Sequence, residues 1–121
     1  FRSYAAIALG HETPALTAIA NDQSYEVVFA RQLEALGRKG DLVIGYSTSG
    51  GSKNVVAALR KARELGIATG AFLGQKIGAC SELADVAVQV PSLNTARIQE
   101  SHLLCTHLLC ASIEQALGDH R

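Results

Sequence analysis

Four hydroxyl side chains crowd one short stretch, Ser47-Thr48-Ser49-Gly50-Gly51-Ser52, and the glycine pair inside it lets the backbone approach a ligand and adopt positive φ. Hydroxyl donors around a flexible turn suit an anion. No lysine follows in the GK[ST] arrangement and GxGxxG is absent, so neither a nucleoside triphosphate loop nor a dinucleotide fingerprint is present. A monophosphate fits better. The plainer alternative is that Ser52 is an ordinary helix cap and the other hydroxyls are unremarkable loop residues. A second set of polar groups, Gln99, His102 and His107, interrupts an otherwise apolar stretch near the C-terminus. An imidazole there serves as an acid/base group, a metal ligand or a hydrogen-bonded core residue. On a helix Gln99 and His107 would stand about 12 Å apart along the axis and about 80° apart around it, which permits a shared ligand without requiring one.

These residues need a scaffold, and the pattern of apolar runs supplies one. Residues 41–47 (DLVIGYS) form a strand apolar enough for the middle of a sheet, followed by the serine loop and then by Val55, Val56, Leu59 and Ala62 at helical spacing. Gly66 closes that helix, with Lys61 and Arg63 near its negative end. Such a strand-loop-helix unit puts a helix N-terminus at the carboxyl edge of the sheet, where open α/β folds bind ligands and where free N–H groups and the helix dipole favour an anion. Before it, residues 4–9 and 16–20 read as strands, and an amphipathic helix begins at Tyr25, capped by Asp22 or Ser24, and stops at Gly37. After it come a strand over residues 67–73, a short helix over 80–84, a strand over 86–90 ended by Pro91, and a helix over 95–117. This alternation is that of an α/β domain with a mostly parallel sheet. The last helix carries apolar residues around far more than one stripe, which implies a second surface to bury them and hence subunit contacts.

The bulk composition restricts the partners. A chain of 121 residues with 48% hydrophobic content builds one compact domain over residues 1–121. Eleven basic and eleven acidic residues cancel, which argues against nucleic acid and membrane surfaces as partners. Cys80, Cys105 and Cys110 form no CxxC pair, as expected of reduced thiols in a cytoplasmic protein. The opening at Phe1 without a methionine leads us to expect further residues upstream.

Three blocks together resemble a known family. They are Ala20-Asn21-Asp22 with the segment YEVVFARQ from Tyr25, the loop of residues 47–52 with Asn54-Val55, and Ala96-Arg97-Ile98-Gln99-Glu100 followed by His102 and His107. This combination is similar to the SIS (sugar isomerase) domain, and within it to the phosphoheptose isomerases. The resemblance implies a three-layer α/β/α sandwich, a five-stranded parallel sheet of flavodoxin-like order, a homotetramer, and active sites at subunit interfaces. It also implies that Ser47, Thr48, Ser49 and Ser52 hold the phosphate, that Asn21, Asp22 and Gln99 contact the sugar, and that His107 is an acid/base residue. Gln99 and His107 would further serve as ligands of one zinc ion per site, while His102 matches a recurrent position without an assigned role. The implied reaction interconverts sedoheptulose 7-phosphate and D-glycero-D-manno-heptose 7-phosphate through an enediol, for lipopolysaccharide-core or related heptose biosynthesis. A catalytic glutamate and a further histidine ligand would lie on a helix preceding Phe1.

Two other functions are compatible with a SIS domain. One is a non-catalytic tetramer that binds the bacterial replication initiator, in which arginine stands at the position of Ser49 and asparagine at that of His107. The serine and histidine present here favour the isomerase. The other is a sugar-phosphate-sensing regulatory domain, for which no DNA-binding segment is present in the chain.

Overall fold

The computed structural model describes residues 3–118. Helix α1 (Thr13–Asp22) is followed by a 3-10 turn (Tyr25–Val27) and helix α2 (Val28–Leu36), and then by strand β1 (Leu42–Ser47), helix α3 (Lys53–Glu64) and strand β2 (Ala68–Leu73). Helix α4 (Ala79–Leu83), strand β3 (Val86–Gln89) and helix α5 (Thr95–Ala116) complete the order. The three strands are parallel and lie in sequence order, β1-β2-β3, with Tyr46 beside Phe72 and Ser47 beside Leu73.

Alternation along the strands gives each face a distinct set of side chains. On one face Val43, Ala71 and Leu73 pack beneath Leu59, Val55 and Cys80, so α3 and α4 seal it. Gly45 is required there, because a Cβ would stand 2.7 Å from Val55 Cγ1. Helix α2 adds Leu33 behind α3, against Ala62 and Ile67. On the opposite face Tyr46 and Phe72 stack at 5.1 Å between ring centroids, and α5 meets them through His102. Helices therefore lie on both faces of the described sheet.

The helix ends follow the local sequence. Ser24 caps the 3-10 turn by accepting from Glu26 N at 2.9 Å, whereas Asp22 accepts from Asn21 Nδ2 and caps nothing. Asn94 Oδ1 accepts from the N–H groups of Ala96 and Arg97 at the start of α5. Gly66, at φ +69°, ends α3.

Two expected strands are not strands. Residues 16–20 belong to α1, where Pro14 presets the first turn, alanines favour helix, and the Thr17 hydroxyl donates to Thr13 O at 3.0 Å. A short apolar run has no period of its own, so propensity decided it. Residues 4–9 have no regular structure, and Tyr4 and Ile7 are exposed. Alanine makes up half of that run and fits a pleated sheet poorly. Among the described residues the sheet thus has three strands instead of five, without the reversal of a flavodoxin-like order. The other expected elements fall within about one to three residues of their expected ends.

Candidate functional site

Strand β1 delivers Ser47 to the carboxyl edge of the sheet, buried on the sealed face. Its Oγ lies 2.8 Å from Ser52 Oγ and 3.5 Å from Ser49 Oγ, while Ser49 and Ser52 are themselves 3.5 Å apart. Three hydroxyls thus form a compact triangle. Ser52 occupies the N-cap position of α3, but its side chain makes no capping bond and turns to Ser47 instead. That disposes of the plain helix-cap reading of Ser52. The first helical bond of α3 runs from Val56 N to Ser52 O, so the amides of Lys53 and Asn54 have no acceptor within the helix.

Close backbone contacts hold the loop in place. Gly50 has φ +71°, and its carbonyl accepts from Cys80 N at 3.0 Å. A Cβ at Gly78 would stand 2.5 Å from that same carbonyl oxygen, and one at Gly74 would collide with Thr48 O and Ile98. Both glycines lie outside the serine motif and were not singled out from the sequence. The fold alone identifies them as its clamps. Behind the loop, burial pushes the Cys80 thiol above its ordinary value while a hydrogen bond with Ser47 pulls the other way. It is a packed thiol rather than a nucleophile.

In front of the loop lies an open-sided cavity of about 500 Å³ lined by Tyr46, Ser47, Thr48, Ser52, Gln99, His102, Leu103 and Thr106. Its size suits a small ligand. Positions 99, 102, 103 and 106 are one helical stripe of α5, brought over the serines because Ile98 is buried and His102 is pinned. The buried ring of His102 donates from Nε2 to Leu73 O at 3.1 Å and meets Tyr46 edge-on. The Tyr46 hydroxyl lies 2.8 Å from Thr106 Oγ1.

Of the residues expected at the site, Ser47, Thr48, Ser52 and Gln99 line this cavity. Ser49 belongs to the hydroxyl triangle and, with Thr48, lines a smaller adjoining recess beside Lys76. Asn21 and Asp22 are exposed at the end of α1 and bond to each other. The turn after them is drawn towards the loop by the ion pair of Glu26 with Lys53, the first residue of α3, at 2.7 Å. The Glu26 carboxylate raises the Lys53 ammonium above its ordinary value. His107 is exposed on α5 and does not line the cavity. Tyr46, Leu103 and Thr106 were not singled out from the sequence, although positions 103 and 106 follow Gln99 at helical intervals of four and seven.

Zinc is a harder fit. Among the described residues no three of His, Cys, Asp or Glu are grouped to hold a metal ion. Gln99 and His107 alone fall short of the four ligands zinc takes.

Comparison with known proteins places this site in a family. The phosphoheptose isomerase of Helicobacter pylori (strain P12) is 54% identical over 114 residues, covering 94% of this chain and 59% of that protein. That of Roseiflexus sp. (strain RS-1) is 54% identical over 112 residues, covering 93% and 57%. Among solved structures, phosphoheptose isomerase GmhA from Neisseria gonorrhoeae superposes with a TM-score of 0.87 at 45% identity, over 90% of this chain and 62% of that one. The chain therefore spans less than two thirds of the length of these relatives. The SIS domain family matches it over residues 3–74, which include α1 to α3, the serine loop and Gly74, and the chain belongs to the SIS domain family.

Proposed function

We propose that the intact protein is an aldose-ketose isomerase interconverting sedoheptulose 7-phosphate and D-glycero-D-manno-heptose 7-phosphate, serving heptose biosynthesis in the cytoplasm. The observation that carries this reading is the triangle of Ser47, Ser49 and Ser52 hydroxyls at the N-terminus of α3, where donors and dipole converge on one anion. Relatives about half identical to this chain and named phosphoheptose isomerase support it. The phosphate sits on the serine triangle with Thr48. The sugar extends across the cavity towards Gln99, with Asn21 and Asp22 approaching from the rim.

Isomerisation moves a proton between C1 and C2 through an enediol, which needs a base at carbon and an acid at the oxygens. His107 is assigned one of these roles. It lies outside the cavity of its own chain, so it serves a site completed by a neighbouring copy in a homotetramer. The exposed leucines of α5, Leu103, Leu104 and Leu108, with Leu117 just beyond its end, support that assembly. Any zinc on Gln99 and His107 needs further ligands from beyond the described residues. The same residues would bring the sheet to five strands in a three-layer sandwich. No helix among the described residues is long and apolar enough to cross a bilayer.

The decisive assay offers sedoheptulose 7-phosphate to the intact protein and follows aldose formation. Turnover is expected, and His107→Asn should lower it about 100-fold with phosphate binding kept. Absence of turnover in the unsubstituted protein would overturn the isomerase in favour of the non-catalytic binding protein.

A further inference from the structure

Among the described residues no lysine or arginine lines the cavity in front of the serine triangle. A phosphate held there meets hydroxyls and helix amides, which are dipoles and not charges. Two cations at helix starts already have partners. Lys53, the first residue of α3, pairs with Glu26 at 2.7 Å, and Arg97, in the first turn of α5, pairs with Glu100 at 2.7 Å. Lys76 makes no ion pair among the described residues. It lines the smaller recess together with Thr48, Ser49, Gln75, Ser92 and Thr95. That recess, of about 120 Å³, is below the size of a small-molecule site, and it shares Ser49 with the hydroxyl triangle. The backbone carrying Lys76 is held against the loop, since a Cβ at Gly50 would stand 2.8 Å from Lys76 O, and Gln75 N donates to Ser92 O at 3.3 Å. An exposed side chain with a long flexible stem thus starts from a fixed anchor.

We infer that Lys76 is a further binding residue for the phosphate, reaching from the recess to the group on the serine triangle and supplying the positive charge that the triangle lacks. The inference rests on the serine loop being the phosphate site, and its test is chosen to separate the two. Hydroxyls and amides fix the position of the phosphate oxygens, while an ammonium adds a Coulombic attraction, and charge-assisted bonds are about twice as strong as neutral ones. Lysine suits this place because it is a point charge with rotatable donors, and the serines already supply the directional contacts. The contact is made to the phosphate and not to the reacting carbons. It therefore acts equally on the bound substrate and on the transition state, and its loss falls on KM and not on kcat.

The test compares the intact protein with its Lys76→Gln and Lys76→Arg variants. Calorimetric titration with inorganic phosphate at low and at raised ionic strength reads the charge, and initial rates with sedoheptulose 7-phosphate read the site. Lys76→Gln keeps a donor and removes the charge. It should bind inorganic phosphate about tenfold more weakly at low salt and lose less affinity than the unsubstituted protein when salt is added, because the screened charge is gone. Its KM should rise by a similar factor with kcat unchanged, and Lys76→Arg, which keeps the charge, should restore both affinity and salt dependence. Thermal unfolding should not change, since the side chain is exposed. Undiminished phosphate affinity in Lys76→Gln overturns the role of Lys76, as does a loss with unaltered salt dependence or one that arginine does not restore. Ser47→Ala with Ser49→Ala tests the underlying reading separately. Undiminished phosphate affinity in that double variant overturns the serine loop as the phosphate site, whereas a loss there beside an unaffected Lys76→Gln overturns Lys76 alone.

Discussion

On one face of the sheet Ala71 and Leu73 lie beneath Leu59 and Cys80, none of them more than 3% exposed. On the other, Leu42, Val86 and Val88 are 55%, 68% and 38% exposed, and α5 covers only the region around Tyr46 and Phe72. The sealed face is closed over β1 and β2 within this chain, whereas the open face carries apolar surface of the kind that other protein covers. The cavity lies where the two meet. Its serines rest on the sealed side, locked by Gly74, Gly78 and the bond from Cys80 N to Gly50 O. Its opposite wall comes from the open side, through Tyr46 and α5. A rigid anion loop thus faces a wall whose remaining support comes from elsewhere.

The largest expected effect tests that contrast directly. Leu59→Ala removes a fully buried side chain and should destabilise the intact protein by about 2–5 kcal/mol at any protein concentration. Leu108, 60% exposed on α5, has little to lose within its own chain, so Leu108→Ala should cost less than about 0.5 kcal/mol there. If copies bury α5, the loss from Leu108→Ala will appear as weaker association. Denaturant titrations at two protein concentrations, with sedimentation, distinguish the cases. A concentration-independent loss at Leu108 as large as that at Leu59 would break the comparison.

A smaller effect is expected where the sealed face becomes the site. Ser47→Ala with Ser49→Ala removes two corners of the hydroxyl triangle and leaves the glycine clamp intact. Each hydrogen bond to a charged group contributes about 1.5–3 kcal/mol, so inorganic phosphate should bind at least about tenfold more weakly. Stability should fall by only about 1 kcal/mol, from the bond between Ser47 and Ser52. Calorimetric titration with phosphate, paired with thermal unfolding, checks both halves. Unchanged phosphate affinity would move the anion site off the loop.

The sealed side was largely legible in the sequence, because its elements announce themselves through short-range chemistry. Val43 and Ile44 before a polar loop, Val55 and Leu59 at helical spacing, and Gly66 at a helix end each carry a local cause. The serine motif was legible for the same reason, and Gln99 stood out as a polar group in an otherwise apolar stretch. Tyr46 was hidden because a tyrosine in a strand looks like any other apolar residue until its hydroxyl finds Thr106, 60 residues away. Gly74 and Gly78 were hidden because their requirement is the nearness of Thr48 and Gly50, a tertiary fact without a local signature. Residues 16–20 misled because Leu, Ile and Ala in a short run suit either a strand or a helix. His102 and His107 are set apart in the sequence only by the resemblance, and what makes His102 a core residue, its buried bond to Leu73 O, is visible only in the structure.

The smallest effect lies on the sealed side at the far end of β2, where Asp85 ties β3 to Thr69. Asp85 Oδ2 accepts from Thr69 N at 2.8 Å and lies 3.1 Å from the Thr69 hydroxyl, which is also 2.9 Å from Leu83 O, while Asp85 N donates to that hydroxyl oxygen at 3.0 Å. The Thr69 backbone N–H, then its hydroxyl, hold the carboxyl below the ordinary aspartate value of 3.8, against a weaker opposing effect of burial. A carboxylate with a lowered folded value contributes stability that is fully present above the unfolded value. That contribution is lost as pH falls from about 3.8 through the lower folded value, below which the folded and the unfolded chain both carry the proton and the ionised form no longer favours either. Asp85→Asn keeps an oxygen for the Thr69 donors but has no charge to titrate. The stability gap between the two proteins should therefore be constant near neutrality and narrow as pH drops below 3.8. Urea titrations at several pH values measure it, with the other carboxylates cancelling in the difference. A gap that stays constant down to pH values well below 3.8 would show that the Thr69 bonds do not favour the ionised form, and that β3 is held by its ladder to β2 alone.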